Sequence, residues 1–112
     1  MTISIEATAH ARIVVLPGQI NSANAVTVES EILRLVESGE KNLMLDFAEL
    51  DYISSAGLRV VLVVAKRLGA EGGRLVLCGM QPHVKEVFDI SGFLSLLTVE
   101  PTRAEALARL AP

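Results

Sequence analysis

The stretch from Leu43 to Leu58 constrains this chain more than any other. Leu43, Met44 and Leu45 read as a short apolar strand ending on Asp46. An exposed turn follows, then Ile53, Ser54, Ser55, Ala56, Gly57 and Leu58, and an apolar run of helical length to Leu68. Two hydroxyls therefore sit where the chain leaves a loop and enters a helix. A helix start offers unpaired N–H groups and the positive end of the dipole, so it accepts a phosphate readily. A serine there is placed to act as a reversible charge switch.

The rest of the chain alternates strands and helices. Residues 3–8 and 12–16 read as two strands joined by a tight connection at Ala9 and His10, with Ile3 and Ile5 alternating with Ser4 and Glu6. Pro17 and Gly18 end the second strand. Asn21 or Ser22, with Asn24 close by as a further capping residue, is expected to cap a helix running to about Glu37, with Val28, Ile32, Leu35 and Val36 on one face and Gly39 just beyond its end. Residues 42–47 are the third strand. The valines at 60, 61, 63 and 64 favour a strand by side-chain type, but residues 57–68 are too long for one and are read as a buried helix. Arg59, Lys66 and Arg67 mark its wet side.

After a turn at Glu71, Gly72 and Gly73 comes a fourth strand over residues 74–78. Pro82 then opens a helix carrying Val84, Val87 and Phe88 inward, and Ser91 and Gly92 end it. Residues 96–99 read as a short last strand, and Thr102 with Glu105 as the capping box of a final helix. This order predicts an α/β fold: a mixed sheet of four to five strands with parallel neighbours, faced by helices, in a single domain over residues 1–112.

Composition narrows the function. Hydrophobic residues make up 51% and aromatics only 4%, so the core must be aliphatic. The 10 basic and 13 acidic residues leave a net charge of −3, with no basic patch for nucleic acid. The longest apolar run, residues 60–65, is far too short to cross a bilayer, and no secretory leader is visible. Cys78 is the only cysteine, which excludes a disulfide framework and fits a cytoplasmic location.

The pattern around the two serines resembles the STAS family, and within it the small bacterial anti-sigma factor antagonists. Leu45, Asp46 and Phe47 match the family's strand end; Ile53, Ser55, Gly57 and Leu58 match its turn. The family's phosphoacceptor serine falls on Ser55. Ser54 stands where Asp is usual, and Ala56 where Ser or Thr is usual. The resemblance implies a regulatory protein, not an enzyme. Its unphosphorylated form binds an anti-sigma factor, a serine kinase of the histidine-kinase-like ATPase fold. That kinase inactivates it by phosphorylating Ser55, and a PP2C-type phosphatase restores it. No cofactor is needed on this chain. The expected partner surface comprises Asn21, Ser22, Asn24, Ser54, Ser55, Ala56, Gly57, Leu58 and Arg59. The two departures keep open a different role, a non-switching STAS subunit that scaffolds a signalling or membrane transport complex.

Other constellations are weaker. From spacing alone, one of Ser54 and Ser55 is simply the helix cap; the resemblance implies that Ser54 takes this role, which leaves the hydroxyl of Ser55 free to face solvent. No Gly-x-Ser-x-Gly elbow is present, and His10 and His83 have no acid at a diagnostic spacing. The two histidines and Cys78 are too scattered for a zinc site, and Cys78 reads as a small buried apolar side chain. Asp46 and Asp51 flank the serine loop, either as local turn residues or as groups that direct a kinase.

Overall fold

In the computed structural model of the chain, which describes residues 2–112, the first strands form the expected hairpin. β1 (Ser4–Ala7) and β2 (Arg12–Val15) run antiparallel, with Ser4 opposite Val15 and Ala7 opposite Arg12. Thr8 closes the turn, its hydroxyl oxygen accepting from the Ala11 amide at 3.1 Å. A two-residue strand that the sequence reading did not include, β3 (Gln19–Ile20), follows.

Helix α1 (Ala25–Glu37) buries Val28, Ile32 and Val36 at the expected spacing. It begins later than expected. Of the three capping candidates the cap position falls on the last, Asn24, rather than on Asn21 or Ser22. The side chain of Asn21 is instead engaged one turn earlier, accepting from the amides of Ala23 (2.9 Å) and Asn24 (3.2 Å). An Asx turn therefore precedes the helix and takes the residues that would have started it. At the other end Gly39 has φ +101°, the left-handed conformation expected just past a helix end.

β4 (Asn42–Asp46) is the central strand, buried from Leu43 to Asp46. Its residues alternate between two cores, because helices cover both faces of the sheet. Leu43 and Leu45 enter the larger core, while Met44 enters a smaller one with Ile13, Val76, Cys78, Ala106 and Leu110. β5 (Tyr52–Ile53) pairs with β3 in parallel as a separate two-stranded sheet. Helix α2 (Ser55–Ala70) settles the ambiguous valine run as helical and buries Val60, Val61, Val64 and Leu68. β6 (Arg74–Cys78) lies parallel to β4, with Asp46 opposite Cys78.

Helix α3 (Pro82–Ile90) places Val84 and Phe88 in the core, where Phe88 meets Phe47 edge-on at 5.7 Å. Val87 does not point inward; it is 36% exposed, a full 100° of helix rotation away from Phe88. A short 3-10 turn (Phe93–Leu96) occupies the start of the segment expected as the last strand, and β7 (Thr98–Glu100) forms two residues later. Helix α4 (Arg103–Leu110) closes the smaller core, and Thr102 caps it by accepting from the Glu105 amide at 3.2 Å.

The main sheet has the order β1-β2-β4-β6-β7, parallel except for the first pair. It is the mixed α/β architecture expected from the sequence. No helix among the described residues is long and apolar enough to cross a membrane.

Candidate functional site

The β3–β5 pair builds the site. Ile20 lies opposite Ile53, so the two chains leave the small sheet side by side. One leads into the loop with Asn21 and Asn24, the other into Ser54 and Ser55. The amide of Ser54 donates to the carbonyl of Ile20 at 2.9 Å, which joins the two segments just as they diverge. The two loops therefore share one end of the small sheet.

Ser54 takes the capping role. Its backbone is extended (φ −86°, ψ 174°), its hydroxyl oxygen accepts from the Gly57 amide at 3.2 Å, and its carbonyl accepts from the Leu58 amide at 2.9 Å. The next residue, Ser55, is the first of the helix and is exposed. One serine thus satisfies the helix start while its neighbour presents a hydroxyl to solvent at the positive end of the helix dipole. Arg59, one turn on and also exposed, shares that face. None of the ion pairs among the described residues engages Arg59.

Ala56, Gly57 and Leu58 turn toward the protein. Ala56 is half-buried against the core, and Leu58 is 8% exposed within it. Gly57 is buried, and a Cβ there would stand 2.6 Å from Ile53 Cγ1 and 2.9 Å from Ile20 Cγ2. The missing side chain makes room for the chain's own β3–β5 pair.

The Asn21 loop is internally braced. The amide of Asn21 donates to Asn24 Oδ1 at 2.8 Å, and the Asn24 side-chain amide donates to the Gln19 carbonyl at 2.9 Å. Ser22 and Ala23 stay exposed at its tip. Two further residues that the sequence reading did not include line this end of the molecule. Val26, in the first turn of α1, is 77% exposed, and Tyr52 on β5 is 51% exposed. A sequence signal existed for Val26: it stands off the helical face defined by Val28, Ile32 and Val36. Tyr52 had none until β5 was known, because a two-residue strand is too short to show alternation.

The flanking acids divide. Asp46 is 6% exposed and spent on structure: Oδ1 accepts from the Ala48 amide at 2.9 Å, and Oδ2 from Arg103 Nε at 2.7 Å. Arg103 also forks onto both carboxylate oxygens of Glu6, at 2.9 and 3.0 Å. That hydrogen bonding, with the guanidinium charge behind it, holds the Glu6 carboxyl below its ordinary range and raises Arg103 above its own. Asp51 is exposed; its carboxylate lies 3.1 Å and its carbonyl 2.6 Å from Nε2 of His83 on α3. His10 is exposed in the β1–β2 turn. Cys78 is fully buried beneath α4, and burial, reinforced by the Asp46 charge, pushes its thiol up to about 11.

Comparison with known proteins agrees with this architecture. The STAS domain profile matches residues 2–106. The Bordetella bronchiseptica protein BtrV, which carries the name of an anti-sigma factor antagonist, is 56% identical over 93 residues, covering 83% of this chain and 80% of its own. An anti-sigma factor antagonist structure from Thermotoga maritima superposes with a TM-score of 0.90 at 18% identity, covering 96% of this chain and 93% of that one. SpoIIAA, solved in its unphosphorylated form, matches with a TM-score of 0.80 at 25% identity, covering 96% and 94%. A structure of SpoIIAA from Bacillus in its phosphorylated form has a TM-score of 0.74 at 23% identity, covering 97% and 99%. The profile spans nearly the whole chain, and the chain belongs to the STAS-domain family.

Proposed function

We propose that this protein is an anti-sigma factor antagonist that works by partner switching. Unphosphorylated, it binds an anti-sigma factor that is a serine kinase of the histidine-kinase-like ATPase fold. Transfer of the ATP γ-phosphoryl group to Ser55 ends the binding, and hydrolysis by a PP2C-type phosphatase restores it. The chain acts as one domain over residues 1–112 in the cytoplasm, where the kinase supplies ATP and magnesium. The observation that carries this reading is the division of labour between the serines: Ser54 is committed to the helix cap, while Ser55 is exposed beside it.

The physics supports a switch without refolding. A phosphoserine adds roughly −1.5 to −2 charges. At the start of α2 that charge meets the helix dipole and unpaired N–H groups, so the host domain tolerates it. Under a docked partner the same charge must be desolvated or face like charge, and each 1.4 kcal/mol or so weakens binding about tenfold. Names of relatives point the same way: BtrV and a Paenibacillus polymyxa relative are both named as antagonists of anti-sigma factors.

The test is a binding series with purified histidine-kinase-like serine kinases. Wild type and Ser55→Ala should bind one of them, and Ser55→Asp should not. Equal binding by wild type and Ser55→Asp would instead favour a scaffold that does not switch.

A further inference from the structure

Helix α3 carries apolar surface that the fold does not use. Val84 and Phe88 fill the core, yet Ile90 is 78% exposed and Val87 36%. His83, Val87 and Ile90 stand at i, i+4 and i+7 and so share a face, with the exposed Glu86 one turn from both His83 and Ile90. This face is fastened to the serine loop. His83 Nε2 lies against two acceptors of Asp51, its carbonyl and its carboxylate, an arrangement that assigns the proton to that nitrogen. Asp51 leads directly into the exposed Tyr52, the buried Ile53 and the two serines.

Charge is unevenly spread along this surface. On α3 and the loop fastened to it stand four exposed acids, Glu49, Asp51, Glu86 and Asp89. None is paired with a lysine or arginine among the described residues. Lys85 offsets one of them: it lines one groove with Met80, Leu94 and Leu97 and a second with Glu86 and Asp89, so the balance along α3 stays negative. At the serine end stands Arg59, which has no ion-pair partner among the described residues. The surface therefore carries Arg59 beside Ser55 and an excess of acids along α3.

We infer that the binding surface for the anti-sigma factor continues from Ser55 along α3, and that Val87 and Ile90 on this strip select the partner. The matching face of the kinase carries an apolar patch rimmed by Arg or Lys where it meets Ile90 and Glu86, and an acidic group where it meets Arg59. This inference rests on the partner-switching reading and adds the chemistry of the partner to it. The two ends do different work. A phosphate on Ser55 cancels the cationic end and repels the acidic group facing it. The α3 end is untouched by phosphorylation and sets which kinase docks, because a partner with acids there meets like charge.

The experiment measures the affinity of purified histidine-kinase-like serine kinases of the same organism for six forms: wild type, Ile90→Asp, Leu96→Asp, Glu86→Lys, Arg59→Glu and Ser55→Asp. Leu96 is 70% exposed on the 3-10 turn and controls for a charge placed on exposed apolar surface. Ile90→Asp should weaken binding about tenfold or more, as for a central apolar anchor, while Leu96→Asp stays near wild type. Glu86→Lys should weaken binding and flatten its salt dependence, as should Arg59→Glu. Equal binding by Ile90→Asp and wild type overturns the inference, as does an equal loss in Leu96→Asp. So does a loss confined to a PP2C-type phosphatase with kinase affinity unchanged. Ser55→Asp is read separately: if it binds while Ile90→Asp does not, the strip stands and the switch reading falls.

Discussion

The amide of Ser54 donates to the carbonyl of Ile20 at 2.9 Å, and this one hydrogen bond ties the two loops of the site together. It follows from the register of the small sheet, in which Ile20 lies opposite Ile53. The helix start, the Asn21 loop and the exposed Val26 and Tyr52 are thereby held at one end of the molecule before any partner arrives. Preorganised surface of this kind limits the entropy lost on binding.

The two serines should separate cleanly by mutation. Ser54→Ala removes the acceptor for the Gly57 amide and should cost about 0.5–2 kcal/mol of stability. Ser55→Ala should leave stability within about 0.5 kcal/mol, since the side chain is exposed. Urea unfolding of both variants checks this; a larger loss for Ser55→Ala would make Ser55 the structural residue of the pair.

Gly57→Ala tests the close approach of α2 to the β3–β5 pair. The new Cβ would press on Ile53 Cγ1 and Ile20 Cγ2, both near the backbone and unable to swing away. The expected cost is on the order of 1–3 kcal/mol, as for overpacking, despite the better helix propensity of alanine. A thermal melt at or above wild type would show that the small sheet yields easily.

Arg103 should carry more stability than a surface arginine. It pairs with the buried Asp46 and forks onto Glu6. Arg103→Gln leaves Asp46 with only the Ala48 amide and should cost about 1.5–3 kcal/mol near neutral pH, the range for hydrogen bonds to charged groups. The pH dependence has a definite sign. Because the Glu6 carboxyl is held below its ordinary range, its contribution is present above the unfolded carboxylate pKa and is lost as pH falls through the folded one. Acid titration should therefore narrow the gap between wild type and variant. A gap constant down to the acid transition would remove Glu6 from the clamp.

Cys78 should be inert while the fold holds. Its thiol is pushed up to about 11 and lies beneath α4 with no exposed surface. Reaction with a thiol reagent at neutral pH should follow opening of α4 or global unfolding, and speed up in Arg103→Gln. A folded-state pKa raised above the unfolded value gives stability that is complete below the unfolded value and declines as pH rises toward 11. Rapid labelling of the native protein would show α4 to be loosely docked.

The long elements were legible because their periodicity spans several turns or a whole buried strand. The residues Val28, Ile32 and Val36 announce α1, and the apolar run of β4 announces a strand covered on both faces. The small β3–β5 sheet was hidden because two residues cannot display a pattern, and with it went Tyr52 and the reason for Gly57. The start of α1 was misplaced because Asn21, Ser22 and Asn24 are all good caps, and an Asx turn won the first of them. Val87 was misread because a helix of nine residues has room for few inward positions, here Val84 and Phe88. At the serine loop the spacing alone left open which serine is the cap; the family resemblance assigned it to Ser54, and the hydrogen bond from the Gly57 amide puts the cap there. The link of Asp46 to Arg103 spans 57 residues and had no local signal.

The most direct test compares the protein before and after phosphorylation by its kinase. Fragmentation mass spectrometry should place a single phosphate on Ser55. Amide chemical shifts of the two forms should differ only around residues 54–59, 21–24 and the adjoining loops, while affinity for the kinase falls about a hundredfold or more, an electrostatic loss of several kcal/mol. Phosphate on Ser54, unchanged affinity, or shifts spreading through β2 and β6 would contradict the account.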